Sequence, residues 1–278
     1  MDKTEFDMFF ALHSQNVDNS EKLGFWSLTD KILETYLLEN MPQKEHVTVV
    51  DFGGGTGRWL LKLDEHFKTS NFIIVDLSED MLKQANKKIT TGKYRNDIRT
   101  IHSDIASVDE LVDGSADYII STYNPLSFCN KPQSVINEAY RVLKKNGTAM
   151  ITVQGYHNAL YSKLNNSLAG HDELRSIFRE KKVRWNEEVP RLWQLTQADM
   201  ENMFVQSGFD KVQSRGIACI IQPQPEDFDP ENKSLGSLSK KLNEDDKLYD
   251  TVLEIELKIG REQDVINRAM NILTIGIK

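Results

Sequence analysis

A glycine-rich segment follows an apolar run near residue 50 and has the composition of a ligand-binding loop. Because glycine lacks a Cβ and tolerates positive φ, such a loop lets backbone N–H groups approach a ligand closely at a helix N-terminus. The order of apolar run, glycines and second apolar run predicts a strand, a turn and a helix that hold a nucleoside-bearing cofactor. The segment reads Val49-Val50-Asp51-Phe52-Gly53-Gly54-Gly55-Thr56-Gly57-Arg58-Trp59-Leu60-Leu61.

The spacing separates this loop from two other glycine motifs. A dinucleotide fingerprint, G-x-G-x-x-G, that began at Gly53 would need glycine at position 58, where the chain has Arg58. A phosphate-binding P-loop would need a Gly-Lys-Ser/Thr ending, which does not follow. The pattern from Asp51 to Gly57 is instead Asp-x-Gly-x-Gly-x-Gly. A Rossmann-like domain that binds a different ligand is the alternative interpretation of these elements.

Two further acids stand where the next predicted strands end. Asp76 closes the second strand, where a carboxylate can accept hydrogen bonds from both hydroxyls of a ribose. Capping of the next helix is its alternative role, but Ser78 is the better cap. Asp104 follows the third strand and can meet the amino group of an adenine. Because parallel strands end at one edge of a sheet, we expect both acids to flank the glycine loop.

Between residues 46 and 154, apolar segments alternate with stretches of helical period, which is typical of a parallel α/β sheet. Ser78 is expected to cap a helix whose apolar stripe includes Met81 and Leu82, and a second helix is expected from 132 to 145, stopped by Asn146-Gly147. The strands predicted in this part cover 47–52, 71–76, 98–102, 116–122 and 148–154.

Outside this part the pattern changes. Residues 1–40 are helical in pattern, and residues 155–195 are polar without strand alternation, so both are expected to cover the substrate. Downstream, Thr196 is expected to cap a helix that runs through Gln206 and is ended by Gly208. The sequence also predicts an exposed loop at 226–244 and a helix at 246–259. Strands are predicted at 211–221 and 271–277.

Composition and charge restrict the classes of function. The 278 residues are 39% hydrophobic and 27% charged, as in a folded globular chain, and no apolar run is long enough for a membrane span. The start of the sequence lacks the pattern of a secretion signal, so we expect a cytoplasmic location. Net charge is −8, which disfavours nucleic acid as a partner. Cys129 and Cys219 form no thiolate motif and the six histidines lack ligand spacing, so no metal site is expected.

The loop, the two acids and the run from Asp117 to Val153 together resemble the class I S-adenosylmethionine-dependent methyltransferases. The resemblance implies an α/β fold with a Rossmann-like, seven-stranded, mostly parallel sheet whose last strand, 271–277, is antiparallel, with helices on both faces. It implies one methyltransferase domain over 1–278. Within it, 1–40 is a helical cover, 46–154 the cofactor-binding core, 155–195 an insertion after the fifth strand and 196–278 the closing strands and helices.

The same resemblance implies S-adenosylmethionine as cofactor, with S-adenosylhomocysteine as product, and assigns roles around it. The loop would line the amino-acid moiety and Asp76 the ribose, Leu77 and Met81 would sandwich the adenine, and Asp104 and Ile105 would contact its edge. Thr122 and Tyr123 would close the pocket. The cofactor-binding residues expected on this basis are Asp51, Gly53, Gly54, Gly55, Asp76, Leu77, Met81, Asp104, Ile105 and Thr122.

Candidate acceptor-side groups sit where the fourth and fifth strands end. His157 is the best-suited general base in the chain, since histidine titrates near neutral pH, and a surface loop histidine is the alternative; Tyr123 is the second catalytic candidate. Trp26 and Trp193 could wall a pocket, although such tryptophans are more often core. The substrate-binding candidates are His13, Trp26, Tyr156, Tyr161 and Trp193.

The acceptor itself is left open between three hypotheses. The first is an N or O atom of a small molecule or peptide-like natural product, favoured by net acidity and an aromatic-rich cover. The second is transfer RNA, because residues 249–256 and 271–278 also resemble the tail of the tRNA wobble-uridine carboxymethoxy methyltransferase, besides that of small-molecule enzymes. The third is a non-catalytic cofactor-binding protein. The basic residues that could track phosphates are Arg175, Arg179, Lys181, Lys182 and Arg184, diluted by nearby acids.

Overall fold

The computed structural model describes residues 24–166, 169–185, 187, 189–228 and 236–278. Its strands, in chain order, are β1 (Thr48–Phe52), β2 (Asn71–Asp76), β3 (Asp97–His102), β4 (Ala116–Ser121), β5 (Leu143–Gly155), β6 (Lys182–Val183), β7 (Leu192–Leu195), β8 (Asp210–Ile217) and β9 (Asn271–Ile277). Its helices are α1 (Gly24–Glu39), α2 (Arg58–Leu63), α3 (Glu79–Thr91), α4 (Pro125–Phe128), α5 (Pro132–Val142), α6 (Tyr156–Asn165), α7 (His171–Glu180), α8 (Gln197–Ser207), α9 (Ser237–Glu244) and α10 (Asp246–Ile259). No helix in these ranges is long and apolar enough to cross a membrane.

The strands form a mostly parallel sheet in the order β3-β2-β1-β4-β5-β9-β8. Strands β1 to β5 pair in parallel, and β9 runs antiparallel between β5 and β8. The seven predicted strands and the antiparallel last strand at 271–277 are therefore confirmed, and two short strands, β7 and β6, extend the sheet from the end of β5 to nine strands. Because strands β1 to β4 run in one direction, their carboxyl ends lie at one edge, where ligands bind in open α/β sheets.

Two apolar layers cover the two faces of the sheet. In β1, Val49 belongs to one layer and Val50 to the other, since neighbouring strand residues point to opposite faces. Helices α1, α2, α3 and α10 pack on the first face, and α5 and α8 pack on the second. The sheet is thus buried on both sides, as its near-continuous apolar strands require.

The two predicted N-caps, Ser78 and Thr196, are confirmed. The Ser78 side chain accepts the N–H of Met81 at the start of α3, and Thr196 with Asp199 forms a reciprocal capping box at the start of α8. The predicted extent of α5 is wrong at its end. The helix stops at Val142, because Leu143 already pairs with Ala116 of β4, so Asn146-Gly147 lies inside strand β5.

The insertion after β5 is more structured than its polar sequence indicates. It contains α6 and α7, and Lys182–Val183 pairs antiparallel with Leu192–Trp193. The end of β7 then pairs in parallel with the last two residues of β5. The sequence shows no sign of these two strands, since strands this short show no alternation.

Two expectations near the C-terminal part also need correction. The strand predicted at 211–221 ends at Ile217, because the buried Glu256 carboxylate on α10 accepts the N–H groups of Cys219, Ile220 and Ile221 and so holds them away from a ladder. The loop predicted at 226–244 contains α9. Its Ser239 is buried, accepts the N–H of Phe25 and donates to Asp227, so contacts distant in sequence order this segment.

Candidate functional site

The glycine loop connects β1 to α2 and is fixed to the end of β2. The N–H groups of Gly53 and Gly54 donate to the carbonyl of Val75 at 2.8 and 3.1 Å, and Gly55 N–H donates to Asp76 Oδ2 at 2.8 Å. Gly53 and Gly55 have φ of +73° and +55°, which a residue with a Cβ adopts only at a cost. The loop geometry thus depends on glycine and on the acid that follows β2.

The space beside Gly55 is open and has defined walls. A Cβ placed on Gly55 would meet only Met81 Sδ at 3.8 Å and Asp76 Oδ2 at 3.9 Å, whereas one on Gly53 would collide with Pro125. The predicted cofactor residues Gly55, Asp76 and Met81 are therefore brought together around one opening. It is the point where a ligand can touch the backbone of the loop.

Asp51 lies underneath this loop without a hydrogen-bond partner in the described part of the chain. Its side chain is completely buried, and a Cβ on Gly54 would lie 2.8 Å from its Oδ2. Burial, with a smaller contribution from the negative charge of Asp76, raises the pKa of Asp51 to about 8. A buried carboxyl group without a partner at a ligand-binding edge indicates a missing cationic or hydrogen-bonding group.

Asp76 shares the burial of Asp51 but not its isolation. Its Oδ1 accepts the N–H of Ser78 and its Oδ2 that of Gly55, each at 2.8 Å. Burial raises the pKa of Asp76, and the two backbone N–H groups act in the opposite direction. Each oxygen keeps a lone pair that can accept a further hydrogen bond. The residue therefore supports the loop and can still accept hydrogen bonds from a ligand.

The other cofactor candidates follow β2, β3 and β4 at the same edge. Leu77 is half-buried and its carbonyl contacts His102 Nε2 at 2.8 Å, while Ile105 and Thr122 are buried. Asp104 is exposed and accepts the N–H of Ala106. Burial, followed by the negative charges of Asp104 and Asp76, raises the pKa of the Cys129 thiol to about 12, so both acids act on one group at this edge.

Tyr123 is held by a polar cluster that sequence reasoning missed. Its hydroxyl donates to Asp30, a buried acid on α1, and Asp30 also accepts a hydrogen bond from Arg58 of α2. Trp26 lies beside it, with ring centroids 6.4 Å apart, and Trp59 stacks on its other side at 6.1 Å. The sole signal in the sequence was Arg58, which stands where a dinucleotide fingerprint has glycine.

The predicted acceptor-side residues fall into separate places. His157 and Tyr161 are exposed on α6, and no other described side chain makes a polar contact with His157. Tyr156 packs in a small core with Ile177 and Val183, so it supports the insertion. The Trp193 indole donates to the carbonyl of Cys129 at 2.9 Å. Of these candidates, Trp26 alone is shown next to Tyr123, and His13 lies outside the described residues.

A cleft of about 350 Å³ lies within the insertion and is lined by several basic side chains, Trp185 and two acids. A second cleft, of about 240 Å³, is lined by the first residues of β1, β2 and β3 and by the loop at 110–115. The second cleft is at the opposite edge of the sheet from the glycine loop. It therefore has no part in the candidate cofactor site.

Comparisons with known proteins agree with this geometry. Residues 49–147 match the protein family described as a methyltransferase domain. A chloroplastic 2-methyl-6-phytyl-1,4-hydroquinone methyltransferase of Spinacia oleracea is 32% identical over 54% of this chain and 41% of its own length. A malonyl-[acyl-carrier protein] O-methyltransferase of Marinomonas sp. is 29% identical over 42% of each chain. The chain spans less than half the length of the curated relatives it matches.

Solved structures share the fold over a greater length. A methyltransferase in complex with the Haloferax volcanii Trm112 activator has a TM-score of 0.60 at 18% identity, over 99% of this chain and 96% of its own. Haemonchus contortus phosphoethanolamine N-methyltransferase 2 in complex with S-adenosyl-L-methionine has a TM-score of 0.55 at 16% identity, over 90% and 52% of the two chains. These matches show that residues 49–147 are similar to a methyltransferase domain and that the chain shares its α/β fold with solved methyltransferases, in agreement with the glycine loop, the strand-end acids and the sheet order.

Proposed function

We propose that the chain transfers a methyl group from S-adenosylmethionine to an N or O atom of a small molecule or peptide-like natural product. The observation that carries the proposal is the buried Asp51 carboxyl group, which has no partner among the described residues and lies beneath a loop whose Gly55 opens toward Asp76. The ammonium group at the amino-acid end of the cofactor would give the Asp51 carboxyl group a positively charged partner. The hydroxyls of a ribose would use the remaining lone pairs of Asp76.

The residues at the edge of the sheet fit the parts of this cofactor. We assign Gly53, Gly54 and Gly55 to its amino-acid end, and Leu77 and Met81 to the faces of the adenine. Asp104 and Ile105 are assigned to the edge of the adenine, and Thr122 to closing the pocket. An exposed carboxylate such as Asp104 can accept a hydrogen bond from an exocyclic amino group.

The chemistry asks little of the protein beyond positioning. S-adenosylmethionine supplies a methyl group on a positively charged sulfur, ready for attack by a nucleophile. The protein must hold that nucleophile in line and, where the acceptor is protonated, remove a proton. We assign the positioning to Tyr123, whose hydroxyl is fixed by Asp30, and the proton removal to His157 at the start of α6.

The names of the related proteins favour a small acceptor. The spinach relative is named for a hydroquinone, the Marinomonas relative for a malonyl group, and the Haemonchus structure for phosphoethanolamine. Two of these three names, those with malonyl and phosphoethanolamine, contain an anionic group. We therefore place an N or O atom of a small molecule ahead of other acceptors.

A calorimetric titration tests the cofactor assignment directly. The full chain is titrated with S-adenosylmethionine, S-adenosylhomocysteine and, as the control nucleotide, NAD. We expect saturable binding of the first two and none of NAD, because Arg58 replaces the glycine of the dinucleotide fingerprint. A preference for NAD would refute the proposal. Transfer of labelled methyl to a panel of amines, acids and phenols then separates an enzyme from a non-catalytic cofactor-binding protein.

Transfer RNA is the second candidate, because Arg175 and Arg179 are exposed together on α7. The remainder of the predicted basic patch is less available. Lys181 Nζ lies 2.6 Å from the Asp199 carboxylate, an ion pair that holds it against α8. Charge reversal at Lys181, Lys182 and Arg184 should abolish methylation of bulk tRNA if RNA is the acceptor, and unchanged turnover would rule this out.

A further inference from the structure

The cleft in the insertion has an unusual charge for this protein. The four basic side chains that line it are Lys163, Lys182, Arg184 and Arg191, and its two acids are Glu173 and Glu187, whereas the whole chain carries a net charge of −8. Like charges held together repel one another unless an anion lies between them. Among the described residues, the lining of the cleft thus has more basic than acidic side chains, on a chain with a net negative charge.

Three of the four cations have a described polar partner. Lys163, almost completely buried, has its Nζ 2.7 Å from Glu173 and 5.6 Å from the centroid of the Trp185 ring. Arg191 lies 2.8 Å from Glu180, and Arg184 donates to the carbonyl of Glu187 at 3.1 Å. These contacts fix the wall of the cleft and hold its charges in place.

Lys182 differs from the other three. Its Nζ lies 4.2 Å from the centroid of the Trp193 ring, and no described carboxylate is within ion-pair distance of it. An ammonium group over an aromatic ring retains N–H donors that point away from the ring. Among the cations of the cleft, Lys182 is thus the one for which the described residues provide no hydrogen-bond acceptor.

Two side-chain hydrogen bonds and one strand pairing connect the cleft to the edge of the sheet that carries the candidate active site. The Trp185 indole N–H donates to Gln154 Oε1 at 2.9 Å, and Gln154 is opposite Asn271 in the register of β5 and β9. The side chain of Asn271 accepts a hydrogen bond from Asn124, the residue after Tyr123. The cleft is therefore attached to the carboxyl ends of β4 and β5, on the side where an acceptor would approach.

We propose that the cleft binds a phosphate or carboxylate group of the methyl acceptor. The proposal is based on the basic lining of the cleft, on the Lys182 ammonium group that has no described hydrogen-bond acceptor, and on the attachment of the cleft to β4 and β5. The inference rests on the proposed function and narrows its substrate class to small anionic molecules. Lys182 and Arg184 hold the oxyanion by charge-assisted hydrogen bonds, and Trp185 forms an aromatic wall for the part of the acceptor next to it. An extended RNA backbone would also need the exposed arginines of α7, which lie outside the cleft.

Inorganic phosphate is the probe for the test, followed by phosphorus NMR line broadening at an ionic strength fixed with chloride. The cleft variant is Lys182→Gln with Arg184→Gln, and the matched control is Arg175→Gln with Arg179→Gln, which removes the same charge from α7. We expect saturable binding to the wild-type chain, a loss of at least about tenfold in the cleft variant and no change in the control. Lys182→Gln alone changes a partly exposed side chain that makes no hydrogen bond to the described residues, so it should show part of the loss without disturbing the fold.

Absence of saturable broadening, or an equal loss in both double variants, would overturn the proposal. So would labelled tRNA that displaces phosphate and loses affinity equally in both, since the cleft would then be one part of a polyanion surface. Titration of each variant with S-adenosylhomocysteine separates this inference from the proposed function. If the chain binds the cofactor but not phosphate, the cleft assignment alone is refuted. If it binds phosphate but not the cofactor, the proposed function alone is refuted.

Discussion

Asp76 at the end of β2 accepts the backbone N–H of Gly55 at 2.8 Å, so one carboxylate both shapes the glycine loop and faces the opening beside it. The two residues belong to separate strand-to-helix turns, which the parallel pairing of β1 with β2 brings side by side. A change at Asp76 therefore affects the loop and the ligand together.

Replacement of Asp76 by alanine should weaken binding of S-adenosylhomocysteine by about 1–3 kcal/mol, the range for losing a polar contact to a charged group. Calorimetric titration gives the value directly. The matched control is Asp97→Ala, which removes an exposed acid from the start of β3, at the other edge of the sheet. Equal affinity of the Asp76 variant and the wild type would show that the strand-end acid does not hold the cofactor.

Asp51 should give the protein without cofactor a characteristic pH dependence. Its pKa is about 8 in the folded chain against 3.8 in the unfolded one, so folding takes up a proton between these values. The free energy of unfolding must then fall as pH rises from about 4 to about 8, and Asp51→Asn removes this contribution.

Urea unfolding of both proteins at about pH 5 and about pH 9 measures this difference. We expect Asp51→Asn to gain stability relative to the wild type at the higher pH and to bind cofactor more weakly. Glu110→Gln, at an exposed position, serves as the control. Parallel pH profiles for the wild type and Asp51→Asn would contradict a buried carboxyl group that titrates near neutral pH.

The Asp30–Tyr123 hydrogen bond should stabilise the fold as well as orient the tyrosine. Tyr123→Phe removes one hydrogen bond to the buried Asp30 carboxylate. The substitution should therefore lower the free energy of unfolding by about 1–3 kcal/mol. A double-mutant cycle of Tyr123→Phe with Asp30→Asn measures the interaction energy of the pair. We expect this energy to be well above that of a control cycle of Tyr123→Phe with Ser27→Ala. Ser27 lies on the same helix but contacts Tyr249, so additive effects of Tyr123 and Asp30 would argue against the cluster.

His157 is the proposed base, and its substitution by alanine should lower kcat strongly while leaving cofactor affinity unchanged. The residue is exposed and occupies the first turn of α6, directly after the strand that ends at Gly155. Single-turnover methyl transfer with a responsive acceptor measures the effect. His171→Ala changes another exposed histidine of the insertion and should leave the rate unchanged. A normal rate in His157→Ala would show that His157 is a surface histidine and not the base.

The acceptor side was the least accessible to sequence reasoning, and the insertion shows why. Lys163, Trp185 and Arg191 are separated along the chain and look like an ordinary polar stretch, yet α6, α7 and the short strands place them around one cleft. Asp30 was missed for the same reason. Its partners Arg58 and Tyr123 lie on α2 and after β4. The helical pattern around residue 30 does not indicate contacts so distant in sequence.

The sequence by itself determined the succession of β1 to β5 along the chain, the loop from Asp51 to Gly57 and the caps at Ser78 and Thr196. Those features depend on local physics: apolar periodicity, glycine conformations and side-chain capping within a few residues. The tertiary structure alone decided that Asp51 has no described partner, that Glu256 ends β8 and that the described lining of the cleft has more basic than acidic side chains. Burial and charge are sums over neighbours from distant parts of the chain, and these neighbours are known only once the chain is folded.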